Sequence, residues 1–227
     1  DYLSDYFKVI GVGSRMQNEI AGSSDLKYIY DRCDLRDAVQ IEHLFVRHPD
    51  LTDAPILVNC AGVMEKASIV DLEATRLLES MYVNCLAPLL LMRKLLPEMR
   101  KNNFGRIINV TSGAPLNCFS GVGAYSASKG ALNALTVTAA NENKDWNIRI
   151  NLMSPGPVRT EMAPQAKLEP SECLPTLSYL LDESENLETG RFFWFGYEIP
   201  LKPNLGEIDW LNGKPSPQLR KIESCHA

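Results

Sequence analysis

The sequence predicts an α/β fold in which a doubly wound parallel sheet carries helices on both faces. Segments typical of strands and of helices alternate along the chain, as such a sheet requires. Polar residues follow several apolar strands at their carboxyl ends, where open α/β sheets bind ligands. The 227 residues, of which 45% are hydrophobic, suit a single globular domain with a sizeable core.

The first half of the chain contains three predicted strands and two predicted helices. Short apolar runs predict strands over 8–13, 27–31 and 54–60. Helical patterns predict helices over 37–48 and 71–102. Asn84 lies inside the strongly apolar part of the second helix, where we expect it to interrupt the regular hydrogen bonding.

The same alternation continues in the second half. Strands are predicted over 106–110, 148–153 and 191–195, with a helix bearing Tyr125 and another over 171–181. These elements form one predicted domain over 1–199. From Pro200 onward the sequence is rich in Pro, Asn, Gly and charge, so 200–227 is interpreted as an extended tail that either wraps a partner or is disordered.

Composition and charge exclude several classes of protein. The net charge of -5 and the lack of a basic stripe argue against a nucleic-acid partner. The longest apolar run, 86–96, is interrupted by Arg93 and Lys94 and is too short to span a bilayer. We therefore expect neither nucleic acid nor membrane among the partners.

The cysteines predict reduced thiols and a cytoplasmic protein. None of the six belongs to a Cys-x-x-Cys pair, and several fall in predicted core positions. The three histidines have no metal-ligand spacing with the cysteines, so no metal site is expected.

Tyr125 and Lys129 are the first candidate site residues. Four residues apart on a helix, they project from one face. A free tyrosine has a pKa of about 10, and a neighbouring ammonium lowers that pKa and prepares the phenol for proton transfer. The alternative is a solvated helix face on which Lys129 is only a surface charge.

Ser112 and Asn59 each follow a predicted strand. Ser112, thirteen residues before Tyr125, is placed to donate a hydrogen bond to a substrate oxygen at the carboxyl edge of the sheet. The alternative is a turn-forming serine before Gly113. The segment Asn59-Cys60-Ala61-Gly62 closes another apolar strand in the same manner.

These residues together resemble the short-chain dehydrogenase/reductase family. The family pattern contains a strand-ending Asn-x-Ala-Gly, a mid-helix Asn, a strand-ending Ser, Tyr-x-x-x-Lys and Pro-Gly-x-x-x-Thr. This chain has all five in order, the last as Pro155-Gly156-Pro157-Val158-Arg159-Thr160. The resemblance covers roughly residues 8–196 and implies a single-domain Rossmann-like fold of the classical type, with a homodimer or homotetramer as the assembly.

The resemblance implies an NAD(P)-dependent oxidoreductase that transfers a hydride between nicotinamide and a carbonyl or secondary alcohol. Tyr125 would act as general acid and base, Ser112 would orient the reacting oxygen, and Lys129 would lower the pKa of Tyr125 and hold the nicotinamide ribose. Asn84 would keep a water that supplies protons to the lysine, although it could instead satisfy freed backbone groups.

Further cofactor contacts are implied at Ala61, Gly62, Pro155, Gly156, Val158 and Thr160, of which Thr160 would fix the carboxamide. The substrate pocket is expected to involve 113–123, which is mostly apolar, and the segment after Gly156. The sequence does not identify the substrate beyond a carbonyl or an alcohol.

The start of the chain departs from the family pattern. Members begin with a strand and a Thr-Gly-x-x-x-Gly-x-Gly turn that holds the cofactor pyrophosphate. Gly11-Val12-Gly13 lies instead in a segment that aligns with the second strand. The absent first strand would be central, and its loss would expose two hydrophobic edges. We expect that strand and turn in an upstream segment; a degenerate relative without cofactor is the alternative.

Cofactor preference is predicted from the end of that second strand. Ser14 and Arg15 stand where an acidic residue would favour NAD, so NADP is predicted, with NAD possible. Arg15 could equally be an exposed loop charge. Asp34 and Leu35 match the adenine-contacting position, although Asp34 could simply cap the next helix. For Asn59, ribose contact is favoured over a role as a turn residue.

A second function class remains open at this point. A non-catalytic binding or regulatory protein of the same fold could keep Tyr125 and Lys129 while lacking the phosphate loop. The presence of Asn84 and Ser112 together with that pair favours an enzyme.

Overall fold

The computed structural model describes residues 2–19, 27–182 and 188–201. Its strands are β1 (Ile10–Gly13), β2 (Ile29–Arg32), β3 (Ile56–Asn59), β4 (Gly105–Val110), β5 (Ile148–Ser154), β6 (Phe192–Trp194) and β7 (Tyr197–Glu198). Its α-helices are α1 (Ala38–Arg47), α2 (Ala74–Met81), α3 (Ala87–Lys101), α4 (Ala114–Asn117), α5 (Gly123–Glu142) and α6 (Leu174–Leu181). The tail predicted over 200–227 lies outside the described residues from 202 onward.

Parallel strands dominate the sheet, as predicted. β3, β4, β5 and β6 pair in that order, all parallel, and β7 adds an antiparallel edge. All six residues of β4 are buried, because helices cover both faces of the sheet. The prediction of a doubly wound α/β fold is therefore confirmed, while the short strand β7 was not predicted.

Two apolar clusters pack the helices against opposite faces. On one face α3 contributes Met92, Leu95 and Met99 to a cluster with β4 and β5. On the other face α6 contributes Leu177, Leu180 and Leu181 to a cluster that includes Ile108 of β4. Neighbouring residues of one strand thus face different helix layers, as the pleat requires.

The described strands form two sheets rather than one. β1 and β2 pair with each other in a parallel two-stranded sheet that is separate from the five-stranded sheet. A cavity of about 640 Å³ lies between them, lined by residues of β1 and β3 and by apolar residues of α3. We call this space, bounded by β1 and β3, the slot.

Hydrogen-bond geometry shows which backbone groups face the slot. The carbonyl of Val9 accepts from Ile29 and that of Pro55 accepts from Arg106. Because backbone groups alternate in direction along a strand, Ile10 and Val12 of β1 then face the slot, as do Ile56 and Val58 of β3. A strand placed there would join the two sheets, in agreement with the expectation that the absent strand is central.

The long helix predicted over 71–102 is divided in two by a π-helical turn. Tyr82–Leu86 forms this turn, and α2 and α3 flank it. Asn84 stands at its centre with no exposed surface. The prediction that Asn84 interrupts the regular hydrogen bonding is therefore confirmed, and π turns of this kind occur frequently at functional sites.

The remaining sequence expectations concern thiols, metals and membranes. The five cysteines among the described residues are free. In the same residues no group of His, Cys, Asp and Glu side chains has the arrangement of a metal site. No described helix combines the length and the apolar character that a membrane span needs.

Candidate active site

Ser112 and Tyr125 meet at the carboxyl edge of β4. Ser112 follows β4, and its Oγ accepts a hydrogen bond from the backbone of Ala114 at 3.1 Å. Its side chain also acts on the phenol of Tyr125, which lies in the first turn of α5, and lowers the pKa of that phenol. The structure thus brings together the two side chains that the sequence assigned to the reacting oxygen.

Burial raises the pKa of Tyr125 above its ordinary value of 10.0. The Ser112 side chain acts in the opposite direction and offsets only part of this effect. The expectation of a lowered pKa at Tyr125 is therefore not met in this structure, because desolvation of the phenolate outweighs the favourable contacts. The phenol keeps its proton at neutral pH.

Lys129 lies beneath Tyr125 with only 3% of its surface exposed. Its Nζ donates to the carbonyl of Val110 at 2.7 Å and lies 5.9 Å from the centre of the Tyr125 ring. Burial lowers the pKa of Lys129 to about 8, and the thiols of Cys60 and Cys85 oppose this shift. The solvated-surface alternative for this lysine is thus wrong.

Asn84 is tied to the loop that follows β3 and to α5. Its Oδ1 accepts from the backbone of Val63, and its Nδ2 donates to the Val63 carbonyl, both at 2.8 Å. Nδ2 also donates to Ser128 Oγ at 2.9 Å. The side chain therefore links three segments that converge on Lys129, rather than satisfying groups of its own helix.

Gly62 lies against the same cluster. A Cβ at this position would lie 3.2 Å from Asn84 Oδ1 and 3.6 Å from Lys129 Nζ. The contact with Lys129 would be an ordinary one, whereas a side chain at this position would press on Asn84. Ala61, its neighbour, is exposed.

Asn59 points into the sheet. Its Nδ2 donates to Asn109 Oδ1 at 2.7 Å, and Asn109 in turn donates to Thr136 at 2.8 Å. All three side chains are buried. This arrangement favours the alternative interpretation, in which the Asn59 side chain stabilises the strand end, over ribose contact through that side chain.

The Pro155–Thr160 segment leaves β5 through a glycine. Gly156 has φ +70, and a Cβ there would meet the Phe195 ring at 2.7 Å. Val158 is buried and bridges to Leu168, whereas Thr160 is exposed and bridges to Ala163. Pro155 is half-buried at the start of this turn.

Arg15 and Ser14 follow β1 at the same edge of the molecule. Both are exposed, and the Ser14 carbonyl accepts from Arg32 at 3.0 Å. Both terminal nitrogens of Arg15 donate to the carboxylate of Glu161, which follows Thr160. Arg15 is therefore neither a free loop charge nor open to a ligand in this arrangement.

Asp34 and Leu35 follow β2. The Asp34 carboxylate accepts from the Arg36 guanidinium at 2.7 Å, and this contact lowers the pKa of Asp34. The cap of α1 is Asp37, whose side chain accepts from Val39, so the expectation that Asp34 caps this helix is wrong. Leu35 lines the slot.

Two contributors to the site were not foreseen from the sequence. Ser128 receives the hydrogen bond from Asn84 and donates to the Tyr125 carbonyl at 2.8 Å. The Val110 carbonyl holds the Lys129 ammonium. A hydroxyl three residues after Tyr125 on the same helix face was the available signal for Ser128, whereas a backbone carbonyl leaves no trace in the sequence.

Comparison with known proteins identifies the family. The profile described as short chain dehydrogenase matches residues 9–170, which is more than half of the chain. The chain belongs to the short-chain dehydrogenase family. The matched region contains Asn84, Ser112, Tyr125 and Lys129 in the arrangement described above.

Curated relatives in this family match part of the chain. A 3-oxoacyl-[acyl-carrier-protein] reductase of Bos taurus is 29% identical over 159 residues, which cover 69% of this chain and 67% of that protein. An uncharacterized oxidoreductase of Bacillus subtilis is 36% identical over 107 residues, covering 47% and 42%. The chain therefore spans about two fifths to two thirds of the length of these relatives.

Solved short-chain dehydrogenase structures share the fold. A 4-hydroxyisoleucine dehydrogenase complexed with NADH and succinate is 28% identical, with a TM-score of 0.76 over 85% of this chain and 89% of that one. A second structure, described as a short chain dehydrogenase/reductase family protein, is 26% identical with a TM-score of 0.75 over 82% and 84%.

The residues at this edge fit part of a nicotinamide dinucleotide. The Lys129 ammonium suits the hydroxyls of a ribose, and the backbone of Gly62 lies beside it, whereas Arg15 suits a phosphate only once Glu161 releases it. A Gly-rich turn able to hold a pyrophosphate is not found among residues 2–19, 27–182 and 188–201.

Proposed function

We propose that this protein is an NAD(P)-dependent oxidoreductase that transfers a hydride between nicotinamide and a carbonyl or secondary alcohol. The observation that carries the proposal is the buried Lys129, whose ammonium lies 5.9 Å from the centre of the Tyr125 ring, while the Ser112 side chain acts on the same phenol. Burying a lysine costs desolvation free energy, and buried titratable groups of this kind cluster at functional sites. Here the lysine lies beside a phenol that can exchange a proton.

Proton transfer is the part of the reaction that this chain's own residues perform. Tyr125 holds its proton at neutral pH because burial raises its pKa, and this protonated form suits the general acid of a carbonyl reduction. Ser112 fixes the phenol and offers a second contact for the substrate oxygen. In the oxidative direction the same phenol receives the proton from the alcohol.

Lys129 and Thr160 would hold the nicotinamide end of the cofactor. The bound dinucleotide supplies the hydride, and its ribose would lie against the Lys129 ammonium. The ammonium is held in place by the Val110 carbonyl, and Asn84 positions the surrounding loops. Thr160 is exposed, in keeping with a contact to the carboxamide.

NADP is the cofactor that we favour over NAD. Arg15 follows β1, at the position where a guanidinium suits a 2′-phosphate, and neither Gly13 nor Ser14 before it is acidic. An NADPH-dependent aldehyde reductase of Arabidopsis thaliana is 30% identical over 148 residues, although another similar structure holds NADH.

The substrate is proposed to be a small molecule with an apolar body. Leu116 and Phe119 are exposed in the segment that follows Ser112 in the chain. Apolar side chains around a few polar groups are typical of pockets that orient a carbonyl and bury its carbon skeleton.

The assembly and location are also proposals. α5 presents the small residues Ala127 and Ala134 to solvent, and such a face allows a second copy to pack closely in a homodimer or homotetramer. The free thiols favour a reducing compartment, the cytoplasm.

One titration separates the enzyme from a non-catalytic protein of the same fold. NADPH and NADH are added separately to the full chain while nicotinamide fluorescence is followed. We expect saturable binding, tighter for NADPH, followed by NADPH oxidation with a panel of aldehydes and ketones. Binding of neither dinucleotide would exclude the oxidoreductase and leave the non-catalytic alternative.

A further inference from the structure

An ion pair connects two separate segments at the carboxyl edge of the molecule. Arg15 follows β1, and Glu161 follows β5 in the segment that contains Thr160. In the strand order, β1 and β5 are separated by the slot, by β3 and by β4. The pair therefore crosses the edge along which the proposed dinucleotide would lie.

The geometry of the pair occupies the guanidinium. Nη1 of Arg15 donates to Glu161 Oε1 at 2.9 Å, and Nη2 donates to Oε2. Phosphate recognition by arginine uses the same pair of parallel donors. Glu161 occupies the edge formed by Nη1 and Nη2, so a phosphate that approaches Arg15 at this edge must displace the Glu161 carboxylate.

The strength of the pair makes such exchange feasible. The Arg15 and Glu161 side chains are 54% and 76% exposed, and pairs of this kind are weak because water screens them. Glu19 adds a second attraction for Arg15 from its own segment. A phosphate dianion carries more charge than a carboxylate and can replace it at an exposed site.

We propose that Glu161 is a specificity-determining residue, whose carboxylate competes with a 2′-phosphate for Arg15. This inference rests on the proposed function and adds a residue to it. Without nucleotide, Glu161 holds Arg15 and tethers the Thr160 segment to β1. A 2′-phosphate displaces Glu161, whereas a nucleotide without that phosphate leaves the pair intact.

The test compares 2′,5′-ADP with 5′-ADP on the full chain by titration calorimetry. Glu161→Gln keeps the size of the side chain and removes its charge. Glu169→Gln is the matched control, because Glu169 pairs with Arg159 nearby, at similar exposure. Fragments without nicotinamide are used so that the result does not depend on turnover.

We expect Glu161→Gln to tighten 2′,5′-ADP binding about two- to fivefold, the range set by exposed ion pairs, with 5′-ADP affinity unchanged. Glu169→Gln should leave the ratio of the two affinities at the wild-type value. The gain should shrink at high salt.

Three results would overturn the inference. If the ratio of 2′,5′-ADP to 5′-ADP affinity is unchanged in Glu161→Gln, or changes equally in Glu169→Gln, Glu161 does not determine specificity. NADPH turnover by the wild type would still support the proposed function in that case. Failure of 2′,5′-ADP to bind the wild type also overturns it. Conversely, if the affinity ratio changes as expected but NADPH is not turned over, the competition at Arg15 is supported and the oxidoreductase function is excluded.

Discussion

At the scale of single residues, the candidate site depends on desolvation. Lys129 is buried and Tyr125 is half-buried, and desolvation raises the pKa of Tyr125 and lowers that of Lys129. The lysine keeps its hydrogen bond to a carbonyl, which compensates its charge in the interior. At neutral pH the phenol is protonated, and the ammonium loses its proton only near pH 8.

Replacing Tyr125 by phenylalanine removes the proton donor without changing the size of the ring. We expect turnover of a carbonyl substrate to fall by about 10²- to 10⁴-fold, the usual contribution of general acid catalysis. NADPH affinity, measured by fluorescence titration, should change little. Tyr197→Phe, an exposed tyrosine away from Ser112, is the control. Retained turnover would remove Tyr125 from the mechanism.

The pKa of Lys129 predicts a pH dependence of stability. The folded state releases this proton near pH 8, whereas the unfolded state keeps it to about 10.5. Between these values the unfolded state binds more protons, so the free energy of unfolding rises with pH. Below pH 8 both states are charged and the full burial cost remains.

The measurement compares wild type with Lys129→Met, which lacks the titrating group. From urea unfolding at pH 8 and pH 10, we expect wild type to gain about 2 kcal/mol relative to the variant. Above pH 10 the raised pKa of Tyr125 has the opposite effect, so the comparison stops there. A constant difference would show that Lys129 has an ordinary pKa in the folded protein.

The proximity of the candidate residues was predictable at this scale, and their energetics were not. Residue types at fixed spacing indicated Ser112, Tyr125 and Lys129. The direction of the Tyr125 pKa depends on burial, which spacing does not give. The same limit applies to Asn59, whose partner Asn109 lies fifty positions away in the chain.

At the scale of elements, glycines and one π turn determine where segments pass the site. Asn84 was identified from its polarity within an apolar run, and the structure shows the π turn that this polarity indicated. The contacts of Asn84 with Val63 could not be predicted, since they join two segments distant in sequence.

Gly156 and Gly121 form a matched pair for testing the turn after β5. Both have positive φ, +70 and +79, but only Gly156 is close to other side chains. Alanine at Gly121 should lose about 1–2 kcal/mol from the left-handed backbone alone. Alanine at Gly156 should lose about 1–3 kcal/mol more, because its Cβ would press on Phe195.

Thermal or urea unfolding of Gly156→Ala and Gly121→Ala checks this prediction. Equal losses in the two variants would mean that the contact with Phe195 relaxes freely. A larger loss at Gly156 would show that the packing of Phe195 against this turn supports the segment that carries Thr160.

At the scale of the whole molecule, the slot divides the sheet. The sequence predicted the parallel fold, because the alternation of strand and helix patterns is visible in one chain. It did not predict the arrangement of β1 and β3 on the two sides of the slot, since that depends on packing between these strands and α3.

Amide hydrogen exchange tests the slot directly. The amides of Ile10, Val12, Ile56 and Val58 face the slot, and within the described residues they have no backbone partner. In a chain of residues 1–227 alone we expect them to exchange faster than those of Gly11 and Leu57, which face a paired strand, whereas a strand bound in the slot would protect both sets. Equal protection of the two sets would indicate that the slot is closed in solution.

The buried amides of Asn59 and Asn109 have a consequence for misfolding. These residues are register partners in β3 and β4, and their side chains hydrogen-bond to each other. A slip of one residue between the strands would send the amides to opposite faces and leave each without its partner in an apolar interior. The free-energy cost of such a slip is therefore higher than it would be with aliphatic side chains at these two positions. The pair therefore disfavours compact misfolded states in which every strand forms but Ser112 is shifted along the sheet relative to Lys129.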